Sequence, residues 1–172
     1  MILKMRFYGD PVLRTKADTV PLINEEIKKI ANDLIDTLFD ERGLGLAAPQ
    51  VGISKRIIAV DTKEEGGNPL VLVNPEIMET AGSAVMEEGC LSFPEIYGKI
   101  ERPSEVTVKG MTLEGKECKL SFKGMPARVF LHEIDHLEGI LFIDRMSPAH
   151  KIVIKSKLKK LMKATKESLG LK

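Results

Sequence analysis

The segment His132-Glu133-Ile134-Asp135-His136 constrains this chain more than any other. On a helix, residues four apart share a face, with Cβ atoms about 6 Å apart. Both imidazoles can then reach one metal ion, and Glu133 can reach a water beside it. Pro126 suits a first helical turn and Gly139 a C-terminal stop. Between them Val129, Phe130 and Ile134 are apolar, so the helix is expected to be buried. Buried histidines must have their ring nitrogens satisfied, and a metal does so. The chain must therefore wrap a core around this helix. The only other histidine is His150, so a third protein ligand is expected to be Cys, Asp or Glu.

The remaining pattern reads as α+β, with short, mostly antiparallel strands packed around the central HExxH helix and an amphipathic helix at the C-terminus. Residues 24–41 repeat Ile27, Ile30, Ala31, Leu34, Ile35, Leu38 and Phe39 at helical spacing, with Asn24 as N-cap. Residues 56–61 and 69–77 read as strands joined by the loop 63–68. Residues 105–111 and 117–122 form a hairpin around Leu113-Glu114-Gly115-Lys116. Ser147-Pro148 opens a last helix to about Ser168, with Ile154, Leu158, Leu161 and Met162 as its apolar stripe. With 172 residues and no linker or repeat, a single catalytic domain over 1–172 is expected.

Charge sharpens the functional classes. Twenty-six basic and twenty-five acidic residues give a net charge of +1, which disfavours polyanion binding by bulk charge, and no DNA partner is expected. The excess lies at one end: residues 147–172 hold eight lysines and one glutamate. The N-terminus has no signal-peptide apolar core, and no run approaches the roughly 20 apolar residues a bilayer requires. A cytoplasmic location follows as an expectation, and there cysteines serve metals or catalysis more often than disulfides.

Two further segments carry chemistry. Gly43-Leu44-Gly45-Leu46-Ala47-Ala48-Pro49-Gln50 has little bulk to block a backbone approach. In Glu88-Gly89-Cys90-Leu91-Ser92, the glycine permits a sharp turn that exposes Cys90; Cys118, on a hairpin strand, reads as a small buried hydrophobe. With His132-Glu133-Ile134-Asp135-His136, these segments resemble, in order and spacing, the three signature motifs of the peptide deformylases. Asp10-Pro11-Val12-Leu13-Arg14 resembles that family's opening, so the likeness spans nearly the whole chain. It implies removal of the formyl group from the N-terminal methionine of new polypeptides. It also implies Cys90, His132 and His136 as ligands of one divalent metal with a fourth position open, ferrous iron being the working ion and nickel, cobalt or zinc able to substitute. The Gly45 backbone is implied to contact the peptide, and the lysine-rich helix to dock on ribosomal RNA, although a solvated face whose lysine stems cover the core requires the same residues.

The chemistry of the residues assigns matching roles. Glu133 is placed to take a proton from water and return it to a departing amine. Gln50 and the Leu91 backbone N–H can donate to oxygen where negative charge develops. Glu88 and Asp135 are expected to orient histidine or arginine, with Arg102 as a partner. Gly43, Leu44, Met86, Met125 and Val129 could line a pocket for a methionine side chain, although core packing explains them nearly as well. Leu131 stands where many relatives have glutamine, and Tyr97 where some have arginine. Two rival readings stay open: an endopeptidase with a downstream third ligand (Glu138, Asp144 or His150), and a structural metal site with Cys118 as fourth ligand.

Overall fold

The computed structural model describes residues 1–63, 67 and 69–171; the central part of the loop expected at 63–68 lies outside the described residues. The first helix, α1, runs Glu25–Asp40, and the Asn24 side chain accepts from the Ile27 N–H as the expected cap. Strand β1 (Gly45–Ala47) follows, then a single 3₁₀ turn at Ala48–Val51 that carries Gln50. Strands β2 (Ile57–Val60) and β3 (Leu70–Ala81) come next. β4 (Ala84–Cys90) and β5 (Phe93–Arg102) make a separate two-stranded ribbon. β6 (Glu105–Met111) and β7 (Glu117–Lys123) form the expected hairpin. Helix α2 spans Met125–Leu137, and α3, capped by Ser147, spans Pro148–Leu169.

The larger sheet is antiparallel in the order β1-β2-β3-β6-β7. All of β2 is buried, and its alternation sends Ile57 and Ala59 into the cluster formed with α1, while Ile58 and Val60 join the cluster formed with α2. The sheet is thus covered by α1 on one face and α2 on the other. A third cluster joins Phe93, Ile96 and Ile100 of the ribbon to Leu13, Phe142 and Ile154 of α3. Helix α2 lies where sheet and ribbon meet, and every residue from Ala127 to Leu137 is buried. It stops at Gly139, whose φ is +70°; a Cβ there would lie 2.6 Å from the Arg14 carbonyl oxygen.

The sequence reading differs from this fold in three places. β3 continues past residue 77 to Ala81 because its exposed second half is held by pairing with β6, which leaves no apolar signature. β1 is three residues of Gly, Leu and Ala, too short to show a period. The Glu88-Gly89-Cys90 segment closes a strand, β4, that the sequence reading does not delimit, and the register of the ribbon slips between Gly89 and Cys90. Such a slip re-aims side chains at a strand end, and here it turns Cys90 toward α2.

Candidate active site

Three atoms from two elements converge. His132 and His136 stand one turn apart on α2, with their Nε2 atoms 3.2 Å from each other. Cys90 Sγ, from the ribbon, lies 3.3 Å from His136 Nε2. The three donor atoms all fall within 4.8 Å of one another, the one such Cys/His/Asp/Glu group found among the described residues. A tetrahedral ion with bonds of 2.0–2.3 Å sets its ligand atoms about 3.3–3.6 Å apart, so the donor set and its spacing fit a metal. Carbonyl-rich and all-carboxylate ions are disfavoured by one sulfur and two imidazoles.

One of the donors, His132, is held from behind. His132 Nδ1 donates to Glu88 Oε1 at 2.9 Å, which leaves its Nε2 lone pair facing the other donors. Burial alone would lower the pKa of His132, but hydrogen bonds to Cys90 and Glu88 outweigh it and raise the ring well above the ordinary imidazole range. The pocket thus favours positive charge at that point, either a proton on Nε2 or a cation bound to its lone pair. Burial, together with the charge of His132, drives His136 well below the ordinary range and keeps it neutral. The Nδ1 of His136 is buried with no hydrogen-bond partner among the described residues.

Glu88 is itself clamped. Burial would raise its pKa, yet the hydrogen bonds from His132 and Arg102 hold it down at about 2. Arg102 forks onto it through Nε (2.6 Å) and Nη2 (3.1 Å) and reaches Asp135 through Nη1 (2.8 Å). Arg145 grips Asp135 with two bonds of 2.6 Å, and Arg128 adds a 2.6 Å bond to Glu88. Glu88 and Asp135 thus orient histidine and arginine as expected, through Arg102. Arg128, Arg145 and Ser92 were not singled out from the sequence. For Arg128 the available signal was a charged residue within a stretch that must be buried, since such a residue requires partners; for Arg145 and Ser92 the sequence carried none.

Glu133 projects into the same space. It is 4% exposed, and its Oε2 has no hydrogen-bond partner among the described residues. Burial pushes its pKa up to about 7, against the lowering effect of His132 and Arg102. Gln50 lies opposite: its Oε1 accepts from the Ala47 N–H (2.8 Å), which directs its Nε2 toward Ser92 Oγ (3.3 Å) and Cys90 Sγ (3.5 Å). The Leu91 N–H, just past the register slip, makes no backbone hydrogen bond among the described residues. A base, two donors and a metal-type ligand set therefore share one cavity, an arrangement suited to hydrolysis of an acyl group.

The cavity is a cleft of about 610 Å³. Gly43, Leu44, Gly45, Met125 and Val129 all line it, alongside Gln50, Cys90, Leu91, His132 and Glu133. Met86 does not. It sits opposite Ile100 on the ribbon, just beyond Glu87, where the stretch of β4 that lines the cleft begins. Tyr97 is on the rim, 58% exposed, with its ring across Gly89, and Leu131 is buried in the core. None of the residues of the two rival readings joins the converging group, and three of them are engaged elsewhere. Glu138 pairs with Arg56 and Lys16, Asp144 with Arg14, and Cys118 Sγ bonds the Gly110 carbonyl on the hairpin.

Residues 2–152 match the profile of the polypeptide deformylases. A peptide deformylase of Halothermothrix orenii is 52% identical over 145 residues, spanning 84% of this chain and 94% of that relative. A solved plant peptide deformylase superposes with a TM-score of 0.93 at 38% identity, covering 98% of this chain and 94% of its own. One from Legionella pneumophila gives 0.88 at 38% identity, covering 95% and 97%.

Gly45 supplies a direct test of the site's geometry. A Cβ on it would lie 2.5 Å from Glu133 Oε1 and 2.6 Å from Val129 Cγ1, so this glycine makes room for the base. Gly45→Ala should push Glu133 aside and lower kcat by about a hundredfold, the scale of a 1 Å misplacement. Metal content measured on the same preparation should stay at the wild-type level, because no ligand is touched.

Proposed function

The chain belongs to the peptide deformylase family, metal-dependent hydrolases that remove the formyl group from the N-terminus of nascent polypeptides, and we propose the following division of labour among its residues. Cys90 Sγ and the Nε2 atoms of His132 and His136 hold one divalent ion, ferrous iron in the working enzyme, with nickel, cobalt or zinc able to replace it. Such an ion supplies Lewis-acid polarisation of a carbonyl and acidification of water.

Everything else is done by protein groups. Glu133 accepts a proton from the water that attacks the formyl carbon and passes it to the nitrogen as the C–N bond breaks, which yields formate and a free amine. The Gln50 Nε2–H and the Leu91 N–H donate to the formyl oxygen as it gains charge; the Ala47 N–H already fixes which way the Gln50 amide faces, and its long 3.5 Å bond to Cys90 Sγ gives way to the substrate oxygen. Gly43, Leu44, Met125 and Val129 form the walls against which an unbranched methionine side chain packs, and the Gly45 backbone contacts the peptide. The observation that carries this reading is the unpaired, buried Glu133 Oε2 in the same cleft as the converging donors.

The origin of the substrate on ribosomes supports action in the cytoplasm, with α3 as the docking element. Lys155, Lys159 and Lys163 are exposed and lie four apart on α3, a basic stripe suited to phosphate. Among the described residues, no helix is long and apolar enough to cross a membrane.

Three measurements bear on these roles. Formate release from formyl-Met-Ala-Ser should fall at least about a hundredfold in Glu133→Gln with metal still bound, the low end for loss of a general base. A variant with near-normal turnover would remove Glu133 from the role. In air, the iron form should lose activity faster than the nickel form, because oxidation at iron and at the Cys90 sulfur destroys the ligand set; equal half-lives would argue against iron. Reversing the charge of Lys155, Lys159 and Lys163 together should weaken ribosome co-sedimentation and its salt dependence without altering formate release. Unchanged co-sedimentation would exclude docking through this stripe.

A further inference from the structure

Arg128 stands one helical turn before His132 on α2, and the two side chains take opposite oxygens of one carboxylate. Arg128 Nη1 donates to Glu88 Oε2 at 2.6 Å, while His132 Nδ1 donates to Glu88 Oε1 at 2.9 Å. The same guanidinium also reaches both strands of the ribbon, the Ile100 carbonyl on β5 at 3.0 Å and the Ala84 carbonyl on β4 at 2.7 Å. It is 4% exposed. Arg102 is divided between two carboxylates, Glu88 and Asp135, whereas the bonds of Arg128 run only to Glu88 and to ribbon backbone.

The position of Glu88 gives this clamp its consequence. Glu88 and Cys90 are two residues apart on β4, so whatever fixes Glu88 against α2 also fixes the strand that delivers the sulfur ligand. The two histidines are on the helix and the cysteine is on the ribbon, and nothing in the chain's local order sets the distance between those elements. We propose that Arg128 is a positioning residue for the metal site: by tying β4 and β5 to α2 through Glu88 and two carbonyls, it holds Cys90 in register with His132 and His136. Arg128 touches none of the donor atoms and acts through Glu88 and the strand. This inference rests on the ligand set proposed above, and it adds a residue that neither the motifs nor their spacing singled out.

Two alternatives make different predictions. If Arg128 acted only as a buried positive charge near the ion, removing it would tighten cation binding, and lysine would preserve its effect. If it served only general stability, the folded variants would bind metal as the wild type does. Positioning predicts weaker metal binding in Arg128→Gln and little recovery in Arg128→Lys, since an ammonium cannot span a carboxylate and two carbonyls in one plane.

The test uses nickel-loaded protein and its cobalt-substituted form, neither of which depends on peptide turnover. Transfer of nickel to a chelator gives the affinity of wild type, Arg128→Gln, Arg128→Lys, Glu88→Gln and the Arg128→Gln/Glu88→Gln double variant. Loss of an outer support of a metal ligand typically weakens binding about 10–100-fold, and that loss is expected in both arginine variants. The double variant should be no weaker than Glu88→Gln alone, because the two residues act in series. The sulfur-to-cobalt band in the near ultraviolet should shift or weaken in Arg128→Gln, and thermal melts should confirm that the variant is folded at the assay temperature. Wild-type affinity in folded Arg128→Gln, tighter binding, rescue by lysine, or additive losses in the double variant would each overturn the proposal. A wild-type protein that takes up no nickel or cobalt would instead overturn the ligand set itself.

Discussion

The rest of the structure depends on the burial of five ionisable side chains on one helix, Arg128, His132, Glu133, Asp135 and His136. A helix with that load is stable in a core only if each group finds a partner, because an isolated buried charge is far too costly. The chain meets this demand from two directions. The ribbon contributes Glu88, Arg102 and Cys90, and the segment before α3 contributes Arg145. One carboxylate oxygen, Glu133 Oε2, is left without a partner among the described residues, and it lies in the cleft. His136 Nδ1 is likewise without a partner among them, so the two exceptions to the pairing fall on the group proposed to exchange protons with substrate and on a proposed metal ligand.

This arrangement also explains why the molecule has two sheets. The five-stranded sheet gives α2 an apolar bed through Ile58, Val60, Val106 and Val108, which fixes the helix as a rigid platform. The ribbon carries the polar half of the environment on the other side. A metal site assembled across that boundary needs the two halves in register, and buried hydrogen-bonded ion pairs supply direction where apolar packing does not. Breaking one partner of such a pair typically costs about 3–5 kcal/mol, so the network holds geometry as well as charge.

The chemistry was more legible in the sequence than the scaffold that holds it. The spacing of His132 and His136 is a local property of a helix, and helix ends at Asn24, Ser147 and Gly139 follow from backbone hydrogen bonding and a left-handed residue. Antiparallel strands at β6 and β7 could be read because their alternation matches burial. β4 inverts that rule: Val85 is 62% exposed while Glu88 is buried among arginines, so hydrophobic periodicity could not reveal the strand. Met86 is not among the residues that line the cleft although Glu87, Glu88, Gly89 and Cys90 are, since nearness to Cys90 in sequence does not decide which side chains reach the opening. The partners of Arg128 and Arg145 are tertiary contacts, which no periodicity carries.

The most direct test of this account is X-ray absorption at the zinc edge of the zinc-substituted protein in solution. The account predicts one sulfur neighbour at about 2.3 Å and two imidazole nitrogens at about 2.0–2.1 Å, with any remaining scatterer a light atom. A spectrum without sulfur would remove Cys90 from the site. One with two sulfurs would bring in Cys118 as a further ligand and make the centre structural, with Glu133 left without the chemistry assigned to it.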